Sequence, residues 1–189
     1  NTLTALEDTP LSFTATDFGF TDPNDIPNNA LQSVVTTTLP ANGVLSLSGT
    51  PVTAGQEILA TDIPNLTFTP AANAYGTGYT SFTFQVRDDG GTANGGVDLD
   101  ATPNTITIDV TEVNDEPVGA DITLSTLEDT PLSFTAANFG FTDPNDTPAN
   151  NFYSVIITTL PANGVLALSG TPLTAGQEIL VTDIPNLSF

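Results

Sequence analysis

The sequence predicts an all-β fold made of tandem Greek-key β-sandwich repeats, and three observations lead to this class. Apolar residues alternate with polar residues at a period of two, as in Phe82–Val86 and Ile106–Val110, which is the spacing of strands with one buried face. The 15 Gly and 15 Pro residues, together with many Asn and Asp, supply turns between such strands. Finally, the beginning of the chain recurs further along it.

Seven or eight short strands are expected in a complete repeat. Leu11 and Phe13 alternate with Ser and Thr, the segment that begins at Val44 follows the turn signal PANG, and threonines flank Phe68. No segment has a helical period of apolar residues without a Pro or Gly interruption. Frequent turns between strands this short are typical of a Greek-key sandwich. In chain order the expected strands are residues 11–14, 33–38, 44–47, 57–59, 66–68, 82–86 and 106–110.

An internal repeat predicts the domain organisation. The segment LEDTPLSFTATDFGFTDPND begins at Leu6, and a nearly identical segment begins 121 residues later. Residues 1–68 align with residues 122–189 without a gap, and 52 of the 68 aligned pairs are identical. We therefore expect one repeat in residues 1–117 and a second repeat, lacking its last strands, in residues 118–189.

The second repeat is incomplete by comparison with the first. The first copy continues beyond Phe68 into two of the best strand candidates, YTSFTFQVRDDGG and NTITIDVTEVND. A sandwich without these strands would expose part of its core and leave unpaired strand edges. We expect either that the natural protein continues or that a neighbouring molecule supplies the strands, and continuation is favoured.

The charge balance and the missing residue types exclude most chemistries. There are 22 acidic residues against one basic residue, Arg87, and no His, Cys, Met or Trp, so the net charge is −21. Without His, Cys or Lys there is no Ser–His–Asp triad, Cys–His dyad, Schiff-base lysine or P-loop lysine, and structural zinc loses its usual ligands. Nucleic acid is excluded as a partner because nothing neutralises its phosphates, and no apolar run is long enough for membrane insertion. We therefore expect no enzyme activity.

The acidic residues are concentrated in turns that border strands. Two carboxylates about 4 Å apart repel by ~4 kcal/mol at an effective dielectric constant of about 20, so a fold that gathers them needs a cation. Carboxylate, amide and backbone oxygens are the ligands of calcium. The alternative is that Asp and Asn occupy these positions because they favour turns and accept hydrogen bonds from backbone N–H groups. The clusters are Glu7–Asp8, Asp22 and Asp25, Asp88–Asp89, and Asn114–Asp115.

Several motifs resemble cadherin-like repeats, which are immunoglobulin-like sandwiches. YTSFTFQVRDDGG followed by TITIDVTEVNDEPV resembles the last two strands and the D-x-N-D-x-P linker of that family. LEDTPLSF, LPANGVLSLSGTPVTAGQEI and FTPAANAYGTGYTSFTF resemble elements of the tandem cadherin-like repeats in giant bacterial surface adhesins, many of which are exported by type I secretion. The resemblance implies calcium as the cofactor and an extracellular, cell-surface location.

The resemblance also implies which residues bind calcium at the junctions between repeats. Glu7 matches a glutamate that reaches the ion at the C-terminal end of its own repeat, and Asn114 and Asp115 match the linker. Asp143 and Asp146 match the acidic pair of the following repeat, although DPND has one residue more than the usual D-x-D. The D-R-E element of animal cadherins is missing. At the opposite end of the first repeat the implied ligands are Asp22, Asp25 and Asp88.

Three functions are compatible with the sequence. The leading one is a non-catalytic structural and adhesion repeat, rigidified by calcium at its junctions, that extends a long cell-surface protein. Its partners would be neighbouring repeats or identical chains, with a surface glycan or protein ligand elsewhere in the full protein. The alternative is a subunit of a self-assembling extracellular filament or surface layer joined by β-strand complementation. A ligand-binding domain is the third, and it is disfavoured because near-identical repeats suit a spacer.

Other polar residues are interpreted as structural. Glu57 and Glu178 each begin a strand, so we interpret them as solvated edge residues. Asp98 and Asp100 lie in a Gly-rich insertion that is typical of a flexible loop. A glycosidase needs only two carboxylates, but three Tyr, no Trp and Phe residues patterned as core do not indicate a sugar cleft.

Overall fold

The computed structural model describes every residue from Asn1 to Phe189. Its regular structure consists of 14 β-strands and five short 3-10 turns, without an α-helix, and the predicted all-β class is therefore confirmed. None of the helical turns is long and apolar enough to cross a membrane. Internal contacts divide the chain into two units, Asn1–Val113 and Asn114–Phe189, so the division falls slightly before the boundary expected after residue 117.

Nine strands of the first unit form two sheets. They are β1 (Thr2–Leu6), β2 (Leu11–Ser12), β3 (Leu31–Thr36), β4 (Val44–Leu47), β5 (Thr50–Pro51), β6 (Glu57–Leu59), β7 (Leu66–Thr69), β8 (Gly76–Asp88) and β9 (Asn104–Thr111). The larger sheet has the order β1-β9-β8-β3-β6, and the smaller has the order β2-β7-β4-β5. Strand β1 runs parallel to β9, whereas all the other pairs are antiparallel.

Both sheets of the first unit contribute to one hydrophobic core. Alternate residues of β8, Phe82 and Phe84, are 1% and 2% exposed, as the period-two pattern predicts. Phe82 packs edge-on against Phe13 with ring centroids 5.8 Å apart, and Phe84 packs edge-on against Phe18 at 4.9 Å. Pairs of this geometry contribute about 0.5–1.5 kcal/mol beyond the apolar area that they bury. Other buried members are Val34, Leu45, Ile58, Ile63, Leu66, Phe68, Ile106 and Ile108.

Local turn chemistry explains where strand β4 and the first 3-10 turn begin. Gly43, at the end of the PANG signal, has a φ of +77°, and a Cβ on it would lie 2.5 Å from the Phe68 ring, so glycine suits this turn before β4 both in conformation and in space. Earlier in the chain, the Asp17 carboxylate accepts the Thr14 N–H at 2.7 Å. This hydrogen bond satisfies a backbone donor at the start of the 3-10 turn Ala15–Phe18.

The second unit has five strands in two smaller sheets. They are β10 (Ser154–Ile157), β11 (Ala167–Leu168), β12 (Thr171–Pro172), β13 (Gln177–Leu180) and β14 (Leu187–Ser188). Strand β10 pairs with β13, while the other sheet has the order β12-β11-β14. The buried core consists of Leu173, Ile179, Ile184 and Leu187, with a partly buried apolar layer around it.

Candidate metal centre

In the first unit, the FTDPND loop is closed by hydrogen bonds from one asparagine. The backbone N–H of Asn29 donates to Asp22 Oδ2 at 2.7 Å, and its side-chain amide donates to Asp25 Oδ2 at 2.9 Å. Asp22 is half-buried and Asp25 is exposed. The loop leads directly into β3, so its two carboxylates lie at the beginning of that strand.

The end of β8 lies beside this loop because β8 and β3 are antiparallel neighbours. Leu31, the first residue of β3, is paired with Asp88, the last residue of β8. The next residue, Asp89, accepts the Ala30 N–H at 2.7 Å, and Asp88 accepts the Gly90 N–H at the same distance. The sheet register therefore brings the predicted residues of this cluster to one end of the first unit.

The second unit carries the same loop 121 positions later. Asn150 donates its backbone N–H to Asp143 Oδ2 and its side-chain amide to Asp146 Oδ2, the latter at 2.8 Å. Asp143 and Asp146 are each only 6% exposed, in contrast to their half-buried and exposed counterparts in the first unit. The same local hydrogen bonds thus occur in a more enclosed setting.

The enclosure comes partly from the segment that opens the second unit. Asn114 Oδ1 accepts a hydrogen bond from the Asn150 amide at 2.8 Å, and the Asp115 N–H donates to Asp146 Oδ1 at 3.2 Å. Four of the residues that the family resemblance implied as ligands, Asn114, Asp115, Asp143 and Asp146, are therefore gathered around Asn150.

One carboxylate oxygen of this cluster is buried without a hydrogen bond. Asp143 Oδ1 accepts none, although its residue is almost fully buried. Burying a charged oxygen without a partner is costly, and the single basic side chain of the protein, Arg87, belongs to the other unit. An adjoining cavity of about 280 Å³ is lined by Asp143, Asn114 and Asp115, among others. The donor set fits calcium because every candidate ligand is a carboxylate or amide oxygen.

Glu7 lies at the other end of the first unit. It follows β1 and hydrogen-bonds the neighbouring strand end: its backbone N–H donates to Thr111 O at 2.9 Å, and its Oε1 accepts the Val113 N–H at 2.5 Å. Glu7 is 1% exposed, and its Oε2 accepts no hydrogen bond. Glu7 thus presents a second buried carboxylate oxygen with unused acceptor capacity.

The sequence interpretation missed several functional contacts. Asn29 and Asn150 each hydrogen-bond both carboxylates of their own acidic loop. Their identical spacing from the two DPND motifs could have indicated this role. Glu57 is not merely a solvated edge residue, because its Oε1 lies 3.0 Å from Arg87 Nε. Asp98 also has a defined role, since it accepts a hydrogen bond from Arg87 Nη1 at 3.0 Å. This hydrogen bond, with the charges of both acids, raises the pKa of Arg87.

Comparisons with protein-family models, with curated proteins and with solved structures found no match for this chain. The cadherin-like interpretation therefore depends on the motifs themselves, and the geometry described above is independent of it.

Proposed function

We propose that this chain is a non-catalytic, calcium-binding segment of an extracellular surface protein, built from cadherin-like β-sandwich repeats that act as spacers. The observation that carries the proposal is the enclosed oxygen cluster of the second unit. There Asp143 and Asp146 are buried beside Asn114 and Asp115, and one Asp143 oxygen has no hydrogen-bond donor.

Calcium is the cation that suits this cluster best. It accepts six to eight oxygen ligands at about 2.3–2.6 Å in flexible geometries, whereas Mg²⁺ demands near-ideal octahedral coordination and retains several waters. Asp143 and Asp146 would supply the charge, and Asn114 with Asp115 would supply amide and carboxylate oxygens. Calcium bound there would neutralise carboxylates that otherwise repel one another in a partly desolvated site.

A spacer function follows from the resemblance together with the near-identity of the two copies. In cadherin-like repeats, calcium stiffens the connection between successive domains, and by that resemblance we assign the same role to calcium bound at the 114–115 linker. The absence of His, Cys and Lys from the chain removes the usual nucleophile and base pairs of enzymes, which supports a structural over a catalytic function.

Calcium titration of matched variants tests the proposal. We expect the parent chain to bind calcium in isothermal titration calorimetry at low ionic strength, and Asp143→Asn to weaken that binding at least tenfold. Asp22→Asn is the matched control, since it removes the equivalent carboxylate from the less enclosed loop of the first unit. A parent chain that binds no calcium, or an Asp143→Asn variant that binds like the parent, contradicts the proposal.

The alternative function is a subunit of a filament or surface layer. It is favoured by one observation, namely that strand β10 of the second unit has a neighbour on only one side. Sedimentation velocity over a range of chain concentrations separates the two functions, because a spacer remains monomeric whereas a filament subunit forms growing assemblies.

A further inference from the structure

One asparagine of the second acidic loop also contacts the segment that opens the second unit. The side-chain nitrogen of Asn150 donates to Asp146 Oδ2 and to Asn114 Oδ1, in each case at 2.8 Å. The orientation of this amide follows from its partner, because an ionised carboxylate only accepts hydrogen bonds and the group that faces Asp146 must be the NH₂. Both N–H groups of that nitrogen are therefore used, and they join a candidate ligand of the loop to a candidate ligand of the linker.

The oxygens that Asn150 contacts retain capacity for a cation. An amide carbonyl oxygen has a second lone pair, and an ionised carboxylate has about four acceptor sites, so one hydrogen bond exhausts neither group. Asp143 Oδ1 accepts no hydrogen bond, although its residue is only 6% exposed. Asp143, Asn114 and Asn150 all line the cavity of about 280 Å³ described above. A cation in this cavity can thus use oxygens that the amide already holds.

The contact from Asn150 orients a side chain that is otherwise weakly held. Asn114 is exposed, and its other side-chain hydrogen bond is local, from Nδ2 to Asp115 O at 3.0 Å. Fixing an exposed side chain costs conformational entropy, so a ligand oriented before the ion arrives binds it more tightly. Groups that hydrogen-bond the ligands of a metal commonly contribute about 10- to 100-fold to its affinity.

We propose that Asn150 is a positioning residue of the calcium site, which holds Asn114 Oδ1 and Asp146 Oδ2 in place without itself coordinating the ion. The inference rests on the calcium-binding function proposed above. The two N–H groups partly offset the carboxylate charge before binding, and the cation then takes the remaining lone pairs. The 114–115 segment is consequently expected to stay against the acidic loop in EDTA as well as in calcium.

Hydrogen exchange in EDTA, followed residue by residue by NMR, tests the positioning contact without calcium. The Asp115 N–H donates to Asp146 Oδ1 at 3.2 Å, and its exchange reports whether the linker stays on the loop. We expect slow exchange in the parent chain and clearly faster exchange in Asn150→Ala, which changes an exposed side chain and leaves the core intact. Asn29→Ala is the matched control, since it removes the equivalent amide of the first unit. Equal Asp115 exchange in the parent and in Asn150→Ala overturns the inference.

Calcium titration calorimetry tests the effect on the ion. Asn150→Ala should weaken, by about tenfold or more, the binding event that Asp143→Asn also weakens. Asn29→Ala should leave this event unchanged.

A double variant separates positioning from direct coordination. Because Asn150 acts through Asn114 as well as Asp146, Asn114→Ala combined with Asn150→Ala should bind calcium more tightly than the product of the two single losses predicts. Losses that multiply would make Asn150 an independent ligand, and the positioning role would be wrong.

Failure of the inference and failure of the proposed function give different results. A parent chain that binds no calcium contradicts the proposed function and, with it, the role of Asn150 at a calcium site. Calcium binding that Asp143→Asn weakens but that Asn150→Ala leaves unchanged overturns the inference alone.

Discussion

Two segments of nearly identical sequence, residues 1–68 and 122–189, have different structures in this protein. Residues 2–6 form β1 in the first copy, whereas the equivalent residues 123–127 form no strand. Phe68 is 0% exposed and its counterpart Phe189 is 39% exposed. Because 52 of the 68 aligned residues are identical, the difference shows what the strands outside the repeated segment, β8 and β9, contribute to the first unit.

The two copies are most alike where contacts lie within the repeated segment. Ile58, Ile63 and Leu66 are buried in the first copy, and their counterparts Ile179, Ile184 and Leu187 are buried in the second. The copies diverge at side chains that contact β8 in the first unit. Phe13, Phe18 and Val34 are buried there, but the equivalent Phe134, Phe139 and Val155 are only partly buried.

The largest expected effect comes from the aromatic pair that differs between the copies. Phe18→Ala should cost about 3–5 kcal/mol of unfolding free energy, as is usual for a buried Phe, because Phe18 is 4% exposed and packs on Phe84. Phe139→Ala should cost clearly less. Urea unfolding, with hydrogen exchange to assign each transition to its unit, measures both values. Equal losses in the two variants would mean that β8 does not account for the difference.

Calcium should stabilise the second copy more than the first, since only its acidic loop is enclosed by the 114–115 segment. A ligand present at a hundred times its Kd stabilises the folded state by about 2.7 kcal/mol. We expect the melting temperature of the transition assigned to the second unit to rise by several degrees between EDTA and millimolar calcium. Sodium chloride of equal ionic strength is the control for general screening, and an equal rise in both salts contradicts specific binding.

A smaller difference is expected at the glutamate after the first strand. Glu7 is 1% exposed and accepts the Val113 N–H, whereas its counterpart Glu128 is exposed. Glu7→Ala should destabilise the first unit by about 1–3 kcal/mol, because a backbone donor loses its acceptor. Glu128→Ala should change stability by less than about 0.5 kcal/mol. Thermal unfolding in EDTA measures both, and similar losses would place the two glutamates in equivalent environments.

The smallest expected effect should be the same in both copies. Asp17 accepts the Thr14 N–H at 2.7 Å, and Asn138 accepts the Thr135 N–H at 2.8 Å. Because each contact is local, Asp17→Ala and Asn138→Ala should each cost about 1 kcal/mol. Urea midpoints of the two transitions provide the measurement. A loss confined to one copy would show that this turn also depends on distant strands.

The sequence by itself determined the all-β class, most strand positions and the acidic loops, because these depend on contacts within a few residues. Alternation of apolar residues predicts β8 and β9, the PANG turn places β4, and the spacing of DPND and its following asparagine recurs with the same hydrogen bonds in both copies.

Only the tertiary structure decided which of these equivalent residues are buried and which are paired. Glu7 is buried because β1 runs parallel to β9, a strand about a hundred positions away in sequence, and no local pattern specifies that partner. Arg87 pairs with Glu57 and Asp98 because the register of β8 with its neighbours brings these side chains together. The physical reason is that burial and ion pairing require atoms from distant strands, and the two copies are identical at 52 of 68 aligned positions but have different distant strands to contact.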